Sequence, residues 1–142
     1  MTAKVVGLVR YPEKGKSGEA QTALTLISGV GISGDFHNGS DRQVSLLSAE
    51  ARQWMDSSAE KGLCFAKFSE NILIEDLASV KVGDSISIGD AVLQIVQSGK
   101  RCYSECSLFS SDSPCQLAKS ALFANVQYSG MISIGDKVYS LL

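Results

Sequence analysis

SISIGDAVLQIVQ, Ser85–Gln97, decides the fold class. Ile86 and Ile88 alternate with serines, Gly89-Asp90 punctuates, and Val92, Leu93, Ile95 and Val96 carry a second extended run. Gly-Asp between two such runs is a hairpin signal, because the backbone of a tight turn suits glycine. The end of the chain repeats the idea in MISIGDKVYSLL, Met131–Leu142. Two copies cannot build a solenoid, so shared hairpin chemistry is expected at both places.

Outward from this stretch the chain keeps to short extended runs. KVVGLVRY (Lys4–Tyr11), TALTLIS (Thr22–Ser28), QVSLLS (Gln43–Ser48), NILIED (Asn71–Asp76) and SVKV (Ser79–Val82) all read as strands. Polar loops with Pro12, Gly15 and Gly18 separate the first two. One helix is expected over Ala49–Lys61. Ser48 can cap it, Leu47, Ala51, Trp54, Met55 and Ala59 share one face, and Gly62 suits the position just past its end. Glu50 near the start and Lys61 near the end agree with the helix dipole. The expectation is a mainly β fold, α+β by content, with one main helix near residues 49–61. Closely spaced turns favour a closed or half-closed β-barrel, and no linker divides residues 1–142 into more than one domain.

Composition narrows the function classes. The chain has 142 residues, 44% hydrophobic and 20% charged, which suits a globular protein able to bury a core without staples. A net charge of -2 argues against general nucleic-acid binding, which needs basic residues to displace counterions. The N-terminus lacks a secretory pattern, and no run of about 18 apolar residues exists to span a membrane. A cytoplasmic location with reduced thiols is the expectation, and the four cysteines do not form a disulfide framework.

Gly29-Val-Gly31-Ile-Ser-Gly34 fits G-x-G-x-x-G after a strand. The dinucleotide fingerprint also needs a helix to follow, so that its N-terminus faces the pyrophosphate. Here DFHNGSDRQVSLL follows, with turn formers and then a strand. The segment reads as a loop whose glycines allow positive φ. It also brings His37 and Arg42 close together in sequence.

Three of the cysteines lie in GKRCYSECSLFSSDSPC, Gly99–Cys115. Cys102 and Cys106 have three residues between them, and Cys115 follows after eight, so a zinc cage would need Cys64 or His37 as a distant fourth ligand. Cys64, among apolar neighbours in GLCFAKF, fits buried packing. Cys102 does not, since Lys100 and Arg101 precede it directly. Cationic neighbours lower a thiol's pKa and raise its thiolate fraction, an effect that Glu105 opposes. Such a thiolate can carry a persulfide sulfur or ligate a thiophilic metal. Cys106 and Cys115 stand as resolving thiols, assistants or fillers.

GISGDFHNG, RQVSLLS, FSENI, VGDSISIGDAVLQIVQSGKRCYSEC and a final F-x₁₁-GD occur in this order, and the order and spacing resemble the MOSC domain. That domain is the C-terminal part of eukaryotic molybdenum-cofactor sulfurases and also occurs as small stand-alone bacterial proteins. The resemblance runs from Lys4 to the end of the chain. It implies a β-barrel and a thiol on the loop after the long strand, at Cys102. In relatives such as the mitochondrial amidoxime-reducing component the matching cysteine ligates molybdenum; in sulfurases the domain is linked to sulfur delivery. The implied cofactor is therefore molybdopterin-bound molybdenum, with Cys102 as its metal ligand and Cys106 and Cys115 beside it in the chemistry. The implied partners are a sulfur donor such as a cysteine desulfurase and a molybdoenzyme or other cofactor acceptor, with no nucleic acid and no membrane. No pyridoxal phosphate is expected to be bound covalently by this chain.

A phosphate and a dithiolene call for cations and backbone N–H groups. Arg42, Lys100 and Arg101 are the candidates, with Lys14 and Lys16 in reach from the first loop. His37 can either hydrogen-bond an oxo ligand or hold the glycine loop, and the local structural role is the default. Asp35 and Asp84 read as turn residues bonding their own backbone, Glu70 and Asn71 as capping or core hydrogen-bonders, and Ser45 as an outward strand residue. Asn125 stands where the relatives commonly have an arginine, so one cationic contact is expected to be missing. Two other readings share these residues: a zinc-holding or interaction module without catalysis, and a molybdenum-dependent reductase of N-hydroxylated compounds.

Overall fold

The computed structural model describes residues 3–57, 70–77, 80–99 and 120–141. Among them run eleven strands and one helix: β1 (Ala3–Arg10), β2 (Glu19–Gln21), β3 (Ala23–Ile27), β4 (Gly31–Ile32), β5 (Val44–Ser48), α1 (Ala49–Ser57), β6 (Ile72–Glu75), β7 (Ser85–Ile88), β8 (Ala91–Ser98), β9 (Leu122–Tyr128), β10 (Gly130–Ser133) and β11 (Lys137–Leu141). The order β11-β7-β8-β9-β5-β6-β1 closes on itself, because Ala3 and Lys4 of β1 also pair with Val138 and Lys137 of β11. The result is a closed barrel of seven strands. β2 adds to the far half of β1, and β10, β3 and β4 form a separate small sheet. The mainly β barrel expected from the sequence is therefore present.

Alternation fills the barrel. Val44 and Leu46 of β5, Ile72 and Ile74 of β6, Leu93 and Ile95 of β8, and Ala124 and Val126 of β9 are buried in one cluster. Leu24, Leu26 and Ile132 of the small sheet join the same cluster, so that sheet packs on the barrel core. The intervening residues face outward. Leu47, Leu73, Ala121 and Phe123 form a second cluster with Ala51, Trp54 and Met55, which seats α1 on the outer wall. Ser48 Oγ accepts the Ala51 N–H at 3.1 Å, the expected cap. α1 is described to Ser57; the rest of the expected helix, to Lys61, lies outside the described residues. β5 and β6 are the parallel pair, joined through α1, while the other barrel pairs are antiparallel.

Two readings of the sequence need correction. Val80–Val82 form no strand; Lys81 N–H donates to Asp84 Oδ2 at 2.8 Å in a turn that leads into β7, while Ser79 is outside the described residues. Asp84 thus has its expected turn role. The two Gly-Asp copies also differ. Ser85–Ile88 and Ala91–Gln94 are a true hairpin. β10 and β11 are not partners: β10 pairs with β3, and β11 with β7 and β1, so Gly135-Asp136 turns a corner between sheets.

The two copies pack on each other at that corner. Asp90 N–H donates to Met131 O at 3.3 Å, and Asp136 Oδ2 accepts the Ser133 N–H at 2.7 Å. A Cβ on Gly130 would lie 2.4 Å from the carbonyl carbon of Asp90, whereas one on Gly135 meets nothing within 4 Å and only has to bear a φ of +94°. Gly135→Ala is expected to cost about 1–2 kcal/mol, the strain of a left-handed backbone. Gly130→Ala should cost more, about 3 kcal/mol, because backbone must move. Urea unfolding of both variants checks the order; equal losses would contradict the close approach.

Candidate functional site

The long glycine segment folds back on itself before β5. Gly29, Gly31 and Gly34 all have positive φ, as the loop reading required, and no helix follows them. The turn carries Asp35, whose side chain is fully buried. Its Oδ1 accepts the Tyr11 N–H at 2.8 Å and the Asn71 Nδ2–H at 3.0 Å. Its Oδ2 accepts the His37 N–H at 3.0 Å and faces His37 Nδ1 at 2.6 Å. Asp35 is therefore more than a turn residue, and this corrects the sequence reading. It joins the glycine loop, the end of β1 and the start of β6.

Asn71 extends the network along the outer wall. Its Nδ2 also donates to Val9 O at 3.1 Å, and its Oδ1 accepts both the Ser45 N–H at 3.0 Å and the Ser45 hydroxyl at 3.1 Å. All four hydrogen-bonding positions of the amide are thus in use. Ser45 points outward as expected, but it is buried beneath this network. Glu70 is gripped by Arg52 of α1, with Nε to Oε2 at 2.6 Å and Nη2 to Oε1 at 2.7 Å. This two-pronged pair fixes the helix against the entry to β6. Glu70 and Asn71 have the hydrogen-bonding role that was expected of them.

On the same wall, Ser45 lies opposite Phe123 in the β5–β9 ladder. The Arg42 guanidinium carbon sits 5.0 Å from the centroid of the Phe123 ring. Phe123 stands next to the root of segment 100–119, where Gly99 N–H donates to Ala121 O at 2.7 Å and draws the two ends together. A chain of neighbours runs from Arg42 through Phe123 and Ser45 to Asn71, Asp35 and His37. Lys14 and Lys16 are exposed in the loop after β1 and take no part in the network. Cys102, Cys106, Cys115, Lys100 and Arg101 lie outside the described residues, as does Cys64. Among the described residues, no three His, Cys, Asp or Glu side chains come together to hold a metal.

Asn125 is occupied structurally. Its Oδ1 accepts the Gln43 N–H at 3.2 Å, and Gln43 Oε1 accepts the Val126 N–H at 3.0 Å. The cation next to Phe123 comes instead from Arg42, two residues before β5. The hydrogen-bonding role of Asn71 is foreseen in the sequence, but its connection with Asp35, Ser45 and Tyr11 into one network is not. The one local signal was Asp35 two residues before the only histidine, within a glycine-rich turn.

Burial alone would raise the Asp35 carboxyl. The His37 side-chain hydrogen bond, the Tyr11 and His37 backbone N–H groups and the His37 charge outweigh it, so the group is held below its ordinary value of 3.8. A lowered carboxyl contributes stability above its unfolded value and loses it as pH falls through its folded value. The acid window for Asp35 therefore lies below 3.8. Asp35→Asn must place an amide NH₂ against N–H donors in either orientation, and should cost on the order of 2 kcal/mol near neutrality. Urea unfolding of both proteins from about pH 7 to about pH 3 should show that gap narrowing as the wild-type carboxyl protonates. A gap that stays constant would contradict the buried, ionised carboxylate.

A sequence profile of the MOSC domain matches residues 33–139. Comparison with curated proteins gives no significant match. Among solved structures, the fold resembles YuaD from Bacillus subtilis with a TM-score of 0.71 and 22% identity, covering 97% of this chain and 94% of that one. YiiM from Geobacillus stearothermophilus aligns with a TM-score of 0.66 and 18% identity over 99% of this chain and 75% of its own. YiiM from Escherichia coli gives 0.57 and 21% over 98% and 70%. The profile runs from the glycine loop through Asp35, Ser45 and Asn71 to the last strand, and on that match the chain belongs to the MOSC domain family, which is associated with molybdenum-cofactor proteins.

Proposed function

We propose that this protein binds the molybdenum cofactor or carries sulfur for it, using Cys102 as the thiolate. The observation that supports this most is the placement of Arg42 on Phe123, beside the root of the segment that bears Cys102. A cation there favours an anionic ligand and a thiolate alike. The described residues fit the anionic part of such a cofactor. Arg42 is exposed, and the one buried carboxylate nearby, Asp35, is enclosed by its four donors and turns no charge outward. Arg42 with Lys100 and Arg101 would hold the phosphate, and His37 would offer a hydrogen bond to a polar edge. When bound, the cofactor supplies a redox-active molybdenum that a thiolate can ligate.

In the sulfur-carrying role, the Cys102 thiolate attacks the terminal sulfur of a donor persulfide. The donor's S–S bond breaks, the donor leaves as a thiolate that takes a proton from water, and Cys102 becomes the persulfide. A cysteine desulfurase is the donor class, and a molybdoenzyme or its cofactor is the acceptor class. Cys106 and Cys115 are the candidate resolving thiols. A thiolate chemistry of this kind calls for a reducing, cytoplasmic setting, and among the described residues no helix is long and apolar enough to cross a membrane.

Intact mass after incubation with a cysteine desulfurase and cysteine, with and without molybdenum cofactor, tests the proposal. The wild type should gain one sulfur atom or retain the cofactor, and Cys102→Ser should do neither. Unchanged loading in Cys102→Ser, or stoichiometric zinc with thiols closed to alkylation, would contradict it.

A further inference from the structure

We infer that the outward face of β3 and β10 is an interface on which a second copy of this chain docks, face to face and two-fold. Two runs of sequence without a charged residue, 20–34 and 120–135, meet there in a chain that is 20% charged. Their pairing sets Thr25 opposite Met131 and Leu24 opposite Ile132. Leu24, Leu26 and Ile132 point into the core, so Thr25, Ile27 and Met131 point away from it. The turn over residues 28–30 lies beside the end of β9. Ser28 N–H donates to Ser129 Oγ at 2.7 Å, Ser28 Oγ to Gln127 O at 3.0 Å, and Gly29 N–H to Val126 O at 3.3 Å. Ile27, Val30, Tyr128 and Met131 therefore share one region, with Ile134 just past β10.

These are five of the eight large apolar side chains exposed among the described residues, so they form a patch and are not scattered. Tyr128 is 67% exposed and Met131 54%. A sheet face left to water ordinarily carries lysine or glutamate, which keep other chains off. This face has none, and it sets an aromatic ring and a methionine among β-branched residues. Loss of charge together with those two side-chain types marks the centre of an interface.

Charge and area select the occupant. A charged partner would lose the hydration of its charge against this face and gain no counter-charge. The surface that fits is itself neutral and apolar, and another copy brings one at equal concentration. In a two-fold contact the same patch serves both sides and every contact is made twice. The five side chains expose roughly 400 Å². A standard interface takes about 800 Å² from each partner, a little over half of it apolar, so the patch supplies about that apolar share. Neutral residues continue it: Val92 lies opposite Tyr128, Ser87 opposite Val92, and Tyr139 opposite Ser87. Asp90 and Asp136, bonded to the backbone of Met131 and Ser133, stand at the rim. Phe123 is at the opposite end of β9 from Tyr128, so docking here leaves the Arg42 wall free.

Sedimentation velocity of the full chain between about 1 and 200 µM tests this, and the wild type should pass from monomer to dimer with a Kd of about 10 µM or tighter. Hydrogen exchange of residues 25–30 and 128–133 should slow over the same range. Met131→Lys and Tyr128→Arg each put a charge on the neutral face, and each should weaken dimerisation by about tenfold or more with an unchanged circular dichroism spectrum. The exchange measurement uses the wild type alone and decides the matter even if a variant misfolds. A wild type that stays monomeric throughout overturns the inference and leaves the face to water or to a different protein. Exchange that does not change with concentration, or a dimer equally tight in both variants, overturns it as well, because the copies then meet elsewhere.

Discussion

A buried carboxylate is costly unless donors surround it, and Asp35 has four of them, from Tyr11, Asn71 and twice from His37. These donors come from the end of β1, the entry to β6 and the glycine loop itself. Asp35 holds all three at once, and Tyr11 and Asn71 reinforce the junction from their own sides. Asn71 then passes the constraint to Ser45 on β5, and Glu70 passes it to Arg52 on α1. One side chain therefore sets the outer wall on which the candidate site stands.

The interior of the barrel explains why the site is on the wall. Isoleucine, leucine, valine and alanine fill it from both small and large strands, as in other small barrels. The packed core leaves the polar network and the candidate residues outside it. Among the outward residues of β5 and β9, Leu47 takes the helix, Ser45 the polar network, and Phe123 both the helix cluster and the guanidinium of Arg42. Asn125 accepts the Gln43 N–H and Gln43 accepts the Val126 N–H, so the asparagine serves structurally.

Much of the fold was legible because its signals are local. Ser85–Ile88 and its partner strand announce themselves by alternation around a Gly-Asp turn, and Ser48 announces α1 by its cap. Pairing partners are not local, so the second Gly-Asp copy looked like a hairpin although β10 and β11 separate into different sheets. Leu122–Tyr128 was overlooked because alanine and asparagine dilute its β character, yet Leu122, Ala124 and Val126 alternate inward. The site followed the same division. His37 and Arg42 stood out by residue type, whereas Asp35 looked like a turn former because its other donors, Tyr11 and Asn71, lie 24 and 36 positions away.

The proposed function requires that this wall lend positive charge to Cys102. The pH dependence of Cys102 alkylation by iodoacetamide, followed by peptide mass in wild type and Arg42→Ala, measures that directly. A wild-type midpoint well below the free-cysteine value of about 8.5, and an upward move in Arg42→Ala, are expected. Ordinary cysteine titration in the wild type, or the same midpoint in both proteins, would contradict it.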